Sequence, residues 1–198
     1  MDKSPVTGLG CVKAFVKHGV QYYSDHLGNI FCEELDQSNK VGGGNEVERN
    51  SDELNAGRLE RIRALTGRDF PQVLDYGCGH GWMAKYFNER GVPCTPYDKY
   101  VEGSVFKKDN DCIVLTEVVE HLTAPFEELA EVHSGLKDGG IVMIETSFSD
   151  WLTKDDTYIT PTVGHCTIFS HAGLDFLMQK FGFRIGDHIN RNVRIYVK

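Results

Sequence analysis

The sequence predicts an α/β protein with a doubly wound, mostly parallel sheet. Short apolar runs alternate with amphipathic helical stretches, the first of these runs passes straight into glycines, and Cys112–Thr116 is apolar without alternation. A strand that is apolar throughout has both faces covered, as in a parallel sheet lying between helical layers.

Each element has a local reason. Ser51 precedes Asp52-Glu53-Leu54 as an N-cap, Leu59, Ile62 and Leu65 recur at helical spacing, and Gly67 follows as a C-cap. Gln72 to Asp75 reads as a strand entering a glycine loop, and Trp82 to Arg90 as a helix stopped by Gly91. Val92 to Tyr97 and Cys112 to Thr116 are further strands, and Thr123-Ala124-Pro125 opens a helix ending near Gly135. Ile141 to Glu145 is a buried strand, Ser170 caps a helix ending at Gly182, and Arg191 to Lys198 alternates as the last strand.

Composition bounds the function. The chain has 198 residues, enough for one domain with a small appendage, and is 40% hydrophobic and 25% charged. Nothing approaches the roughly 18 consecutive apolar residues of a membrane span. No basic-then-apolar leader is visible at Met1-Asp2-Lys3. A net charge of −8 argues against extended contact with a nucleic-acid backbone and favours a small-molecule or glycan partner. The six cysteines (Cys11, Cys32, Cys78, Cys94, Cys112, Cys166) form no C-x-x-C pair, which suits a reducing, cytoplasmic compartment. Oligomeric state is not legible.

Gly42-Gly43-Gly44 reads as a flexible join between an N-terminal piece (1–44) and a main domain (45–198). In the main domain, Asp75 ends the first strand and Gly77, Gly79 and Gly81 follow, where backbone must turn tightly beside a ligand. Trp82 stands where a dinucleotide fingerprint requires a third Gly, which disfavours a nicotinamide cofactor. Asp98 closes the second strand, 17 residues beyond Gly81, where a carboxylate can accept two ribose hydroxyls.

Together these residues resemble the first two motifs of class I S-adenosylmethionine-dependent methyltransferases, a Rossmann-like fold whose last strand is antiparallel. Thr116-Glu117-Val118-Val119-Glu120-His121-Leu122 and Leu136-Lys137-Asp138-Gly139-Gly140 extend the resemblance over most of 52–198. It implies an enzyme that binds S-adenosylmethionine through Asp75, Gly77, Cys78, Gly79, Gly81, Asp98, Lys99, Thr116 and Glu117. Only 12 residues separate Asp98 from Asp111, so the strand-three region is abbreviated and no adenine-binding residue carries over.

Glu117, Glu120 and His121 have i, i+3, i+4 spacing, so one helical turn would place them on one face. With His165 they make a candidate divalent-metal set, the carboxylates favouring Mg or Mn and the imidazoles Zn or Fe. The pattern resembles two metal-dependent branches: ubiquinone-biosynthesis O-methyltransferases and the 2′-O-methyltransferases of small-RNA ends. Without metal, His121, His165 and Glu120 remain the catalytic candidates, with an imidazole as base. The reaction expected is methyl transfer to a hydroxyl oxygen, with Trp151, Tyr158 and Phe169 as candidate acceptor-pocket aromatics. A non-catalytic module that keeps the cofactor fold is the alternative.

The N-terminal piece is similar in frame to a zinc ribbon, with Ser4, Thr7, Ser24 and Leu27 at the four ligand positions. Thiolates are what hold structural zinc, and none is present there. A metal-free β appendage held by Val12, Phe15, Val20, Tyr22, Ile30 and Phe31 is expected, acting as a lid.

Overall fold

The computed structural model describes residues 11–17, 20–25, 30–32, 51–153, 156, 158–159 and 165–198. Its main sheet has six strands in the order β5-β4-β6-β7-β10-β9. These are β4 (Val73–Tyr76), β5 (Cys94–Tyr97), β6 (Asn110–Thr116), β7 (Leu136–Glu145), β9 (Arg184–Asn190) and β10 (Val193–Val197). The first four are mutually parallel, while β10 runs antiparallel to both β7 and β9. The doubly wound sheet with an antiparallel last strand is therefore present as expected.

Residue alternation builds a core on each face. Ile113 and Leu115 of β6 join Leu74, Val142 and Ile144 beneath α3 (Pro125–Gly135) and α4 (His171–Lys180). Cys112 and Val114 point the other way, with Val73 and Met143, against α1 (Asp52–Thr66) and α2 (Trp82–Asn88). Successive strand side chains take opposite faces, so a strand covered on both must be apolar throughout. Each fully buried Ile or Leu here contributes roughly 1.5–3 kcal/mol.

The expected caps are in place. The Ser51 hydroxyl accepts from Leu54 N–H at 3.4 Å and the Ser170 hydroxyl from Gly173 N–H at 2.9 Å. Gly67 is left-handed with φ +63°. One element differs from expectation: β9 precedes the last strand and forms a hairpin with it. Its sequence, RIGDHIN, carries only two apolar residues, because an edge strand has little surface to bury.

No strand lies between Asp98 and Asp109 among the described residues, in keeping with the abbreviated strand-three region expected there. Phe106 fills its place, packing edge-on against Tyr97 at 5.2 Å and Tyr76 at 6.3 Å. Gly135 makes room for that ring: a Cβ there would lie 2.5 Å from Phe106 Cζ. β5 thereby becomes the sheet edge, and it is sealed. Val73 N–H bonds Pro93 O and Gly77 N–H bonds Tyr97 O, so residues 94 and 96 face outward. The Asn88 amide takes both backbone groups of Cys94, at 2.8 and 3.0 Å, and Pro96 has no N–H to offer.

Three N-terminal strands, β1 (Cys11–Lys17), β2 (Val20–Asp25) and β3 (Ile30–Cys32), form an antiparallel meander. Its third strand pairs with β8 (Thr167–Ile168), a short strand of the main domain. The β appendage is present, and it joins the main domain two residues beyond His165. Ser4, Thr7, Leu27 and the Gly42–Gly44 join lie outside the described residues, as does the side-chain packing expected of Val12, Phe15, Val20, Tyr22, Ile30 and Phe31. No described helix is long and apolar enough to cross a membrane.

Candidate active site

Past the carboxyl end of β4, Gly77, Gly79 and Gly81 all adopt positive φ, at +72°, +50° and +71°. Other residues strain there. Gly77 is further constrained, since a Cβ would stand 2.6 Å from Val118 Cγ2. The loop is pinned to the neighbouring strand by Gly77 and Cys78, whose N–H groups both donate to Tyr97 O, at 2.7 and 3.1 Å. Cys78 is half-buried and its thiol leans on Gly79 O at 3.7 Å, while Asp75 is buried at the strand end.

Asp98 holds this loop from β5. Its Oδ2 accepts from Gly79 N–H at 3.2 Å and its Oδ1 from Tyr100 N–H at 2.9 Å. A carboxylate has about four lone-pair sites, so each oxygen keeps one for a ligand hydroxyl. Lys99, expected in the cofactor set, pairs its ammonium with Glu128 Oε1 on α3 at 2.7 Å.

The next strand end carries Thr116, whose Oγ1 is buried with no hydrogen-bond partner among the described residues. Buried polar atoms are almost always satisfied, so an orphan at a strand's carboxyl end is where a ligand belongs. Glu117 follows with φ +52°, a conformation that branched or long side chains rarely take. The chain is therefore not helical at Glu117, and the turn expected to carry Glu117, Glu120 and His121 does not include Glu117. The helical turn, of the 3-10 type, begins only at Val119.

Three of the four proposed ligands nonetheless converge. One ligand atom each from Glu120, His121 and His165 lies within 4.8 Å of the others. Glu117 falls outside that set, but its side chain hydrogen-bonds Glu120. Glu120 is fully buried, and burial pushes its carboxyl up although hydrogen bonds from Tyr158 and Thr146 oppose it. The Tyr158 hydroxyl donates to Oε1 at 2.6 Å and Thr146 Oγ1 to Oε2 at 3.0 Å. Burial, then the nearby Glu120 and Glu117 charges, push the Tyr158 hydroxyl far above its ordinary range, so it stays a donor.

His165 is set by the other end of the same tyrosine. Its Nδ1 lies 2.7 Å from Tyr158 O, and a carbonyl only accepts. In the neutral ring Nδ1 therefore carries the proton and Nε2 the lone pair. The His121 and His165 rings meet edge to face at 4.7 Å.

Of the other proposed aromatics, Phe169 is a core residue and Trp151 is exposed. Sequence reasoning missed Thr146, and also Arg58, a buried residue of α1 that pairs with Glu145 Oε2 at 2.9 Å at the carboxyl end of β7. The one signal was Asn55, three residues earlier on the same helix, which accepts from Arg58 Nη1 at 2.9 Å.

Comparison with known proteins places this geometry in a family. A family model described as a methyltransferase domain matches residues 47–188. A malonyl-[acyl-carrier protein] O-methyltransferase of Salmonella typhimurium is 51% identical over 37 residues, which is 19% of this chain and 15% of that protein. Among solved structures, Burkholderia thailandensis 1,6-didemethyltoxoflavin-N1-methyltransferase, with bound S-adenosylhomocysteine, superposes with a TM-score of 0.57. It is 18% identical, with 94% of this chain and 99% of that one covered. CalS10, a SAM-bound amino pentose methyltransferase of Micromonospora echinaspora, gives 0.57 at 15% identity, covering 83% and 99%. An O-methyltransferase family protein of B. thailandensis gives 0.54 at 12% identity and 74% coverage, and this chain spans 56% of its length. The family model covers most of the chain, and this chain belongs to the methyltransferase-domain family.

Proposed function

We propose that this enzyme moves a methyl group from S-adenosylmethionine to a hydroxyl oxygen of a small molecule or glycan. The convergence of Glu120, His121 and His165 beyond the carboxyl end of β6, beside the glycine loop, carries this reading. Asp98 would hold the ribose through the two lone pairs its backbone partners leave, Gly77 to Gly81 would pass beneath the methionine portion, and Thr116 Oγ1 would gain its missing partner. The orphaned Thr116 and the glycine cradle fit such a cofactor.

Chemistry then needs a proton acceptor and alignment. The acceptor hydroxyl gives its proton to His165 Nε2 as its oxygen attacks the methyl carbon. The carbon–sulfur bond breaks, its electron pair stays on sulfur, and S-adenosylhomocysteine leaves. A base so placed contributes roughly 100- to 10,000-fold, with positioning supplying much of the rest. In the alternative version, where His165 Nε2 is a ligand and not the base, Glu120, His121 and His165 would hold a divalent ion that suits their donor chemistry and spacing. When bound, that ion supplies charge that lowers the pKa of a coordinated hydroxyl. The N-terminal meander is proposed as a lid on the acceptor side. The net charge of −8 favours a small acceptor over an RNA end.

Calorimetry tests the cofactor assignment. S-adenosylhomocysteine should bind and NADH should not, and Asp98→Ala should weaken the former at least tenfold. No binding of S-adenosylhomocysteine would overturn the assignment. For the metal, chelator-dialysed protein should gain thermal stability from Mg, Mn, Zn or Fe, and His165→Ala should gain less; equal gains would remove the ion from the reading.

A further inference from the structure

The sequence singles out Tyr158 only as one of several aromatics near the acceptor, yet its two ends meet two different reactive groups. The hydroxyl reaches Glu120 Oε1 at 2.6 Å and lies 3.0 Å from Thr146 Oγ1, and Ser147 N–H approaches it at 3.4 Å. The main-chain oxygen holds His165 Nδ1 at 2.7 Å, and the phenol ring lies over the imidazole with centroids 4.1 Å apart. Apolar anchoring of this segment is already supplied by Ile159, which is fully buried.

We infer that Tyr158 is the positioning residue of the acceptor site, fixing the Glu120 carboxylate with its hydroxyl and the His165 ring with its carbonyl and phenol face. The inference rests on the reading of Glu120 and His165 as the acceptor-side groups. Glu120 comes from the turn after β6 and His165 from the segment before β8, so nothing in the local sequence sets their separation. Tyr158 spans the gap. Groups that orient ligating or basic side chains matter for function, because a ring turned by one bond presents the wrong nitrogen. A phenylalanine would fill the same space and keep the carbonyl bond, but it would release Glu120 from one of its two hydroxyl donors.

The test uses the full chain, Mn²⁺ as probe and ¹⁵N-histidine NMR at neutral pH. His165 should appear as the neutral Nδ1–H tautomer in the parent protein and in Tyr158→Phe. Tyr158→Ala keeps the carbonyl but loses the phenol face, so its His165 ring signals should broaden as the ring gains motion. Tyr158→Phe should bind Mn²⁺ about 10- to 100-fold more weakly, the range typical of lost outer-shell partners. Its S-adenosylhomocysteine affinity should stay within about twofold of the parent, which a general loss of structure would not permit. An Nε2–H tautomer in the parent would overturn the inference, as would unchanged Mn²⁺ affinity in Tyr158→Phe beside a parent that binds. If the parent binds no Mn²⁺, the metal reading fails by itself and the tautomers decide on Tyr158. Should Tyr158→Ala not fold, the parent and Tyr158→Phe spectra still decide.

Discussion

Two carboxylates flank β6, and their surroundings drive them in opposite directions. Beyond its carboxyl end, Glu120 is buried among hydroxyls and a second acid, and burial raises its pKa. At its amino end, Asp111 also feels burial, but the Lys137 ammonium at 2.8 Å, the Gln72 N–H at 2.8 Å and Arg68 at 3.3 Å outweigh it and hold the carboxyl below its ordinary value. A depressed folded-state value adds stability above the unfolded value, and this is lost as pH falls through the folded one. Asp111→Asn should therefore lower stability by roughly 2 kcal/mol at neutral pH, the scale of a charged hydrogen-bond set. Urea denaturation should show the gap between variant and parent closing below about pH 4. A gap that stays constant to pH 3 would contradict the assignment. The sequence uses Asp111 only to mark the end of the short span from Asp98, since its partners come from two distant segments, the 68–72 connection and Lys137.

Among the elements, the sheet edge is the departure with consequences. The abbreviated strand-three region leaves β5 outermost, and exposed edges invite pairing with other chains. Asn88, the last residue of α2, closes that edge by imitating a strand partner for Cys94. Asn88→Ala should cost about 1–3 kcal/mol through two unpaired backbone groups. It should also raise self-association, read by light scattering; a variant as stable and as dispersed as the parent would refute the sealing role. Helices α1 and α4 were legible from Ser51, Gly67 and Ser170, because capping is local chemistry. β9 was not, because Arg184, Asp187 and Asn190 give a polar edge strand no periodicity to read.

For the whole molecule, the joint between the meander and the main domain matters most. Among the described residues Ile30↔Ile168 and Phe31↔Thr167 pair across it, and β8 begins just after His165 and Cys166. Cys166 N–H in turn bonds Glu120 O at 2.6 Å, so this joint is tied to the site through one residue. The proposed lid should respond to ligand. Amide exchange at residues 30–32 and 167–168 should slow severalfold with S-adenosylhomocysteine bound, while exchange in β6 should not change. Equal exchange with and without ligand would remove the lid.

By itself, the sequence determined what depends on near neighbours along the chain. The apolar run of β6, the glycines after Asp75, the helix caps and the acid at Asp98 each follow from spacing, and together they specify the doubly wound sheet and its glycine loop. Tertiary structure decided what depends on segments far apart. It left Glu117 outside the Glu120 turn through a positive φ at the strand end while keeping their side chains hydrogen-bonded, and it paired the Lys99 ammonium with Glu128. It set Thr146 and Tyr158 on opposite oxygens of Glu120, and closed the sheet edge with Asn88. Those outcomes depend on distances of a few ångströms between side chains on different elements, and such distances are set only when the layers pack.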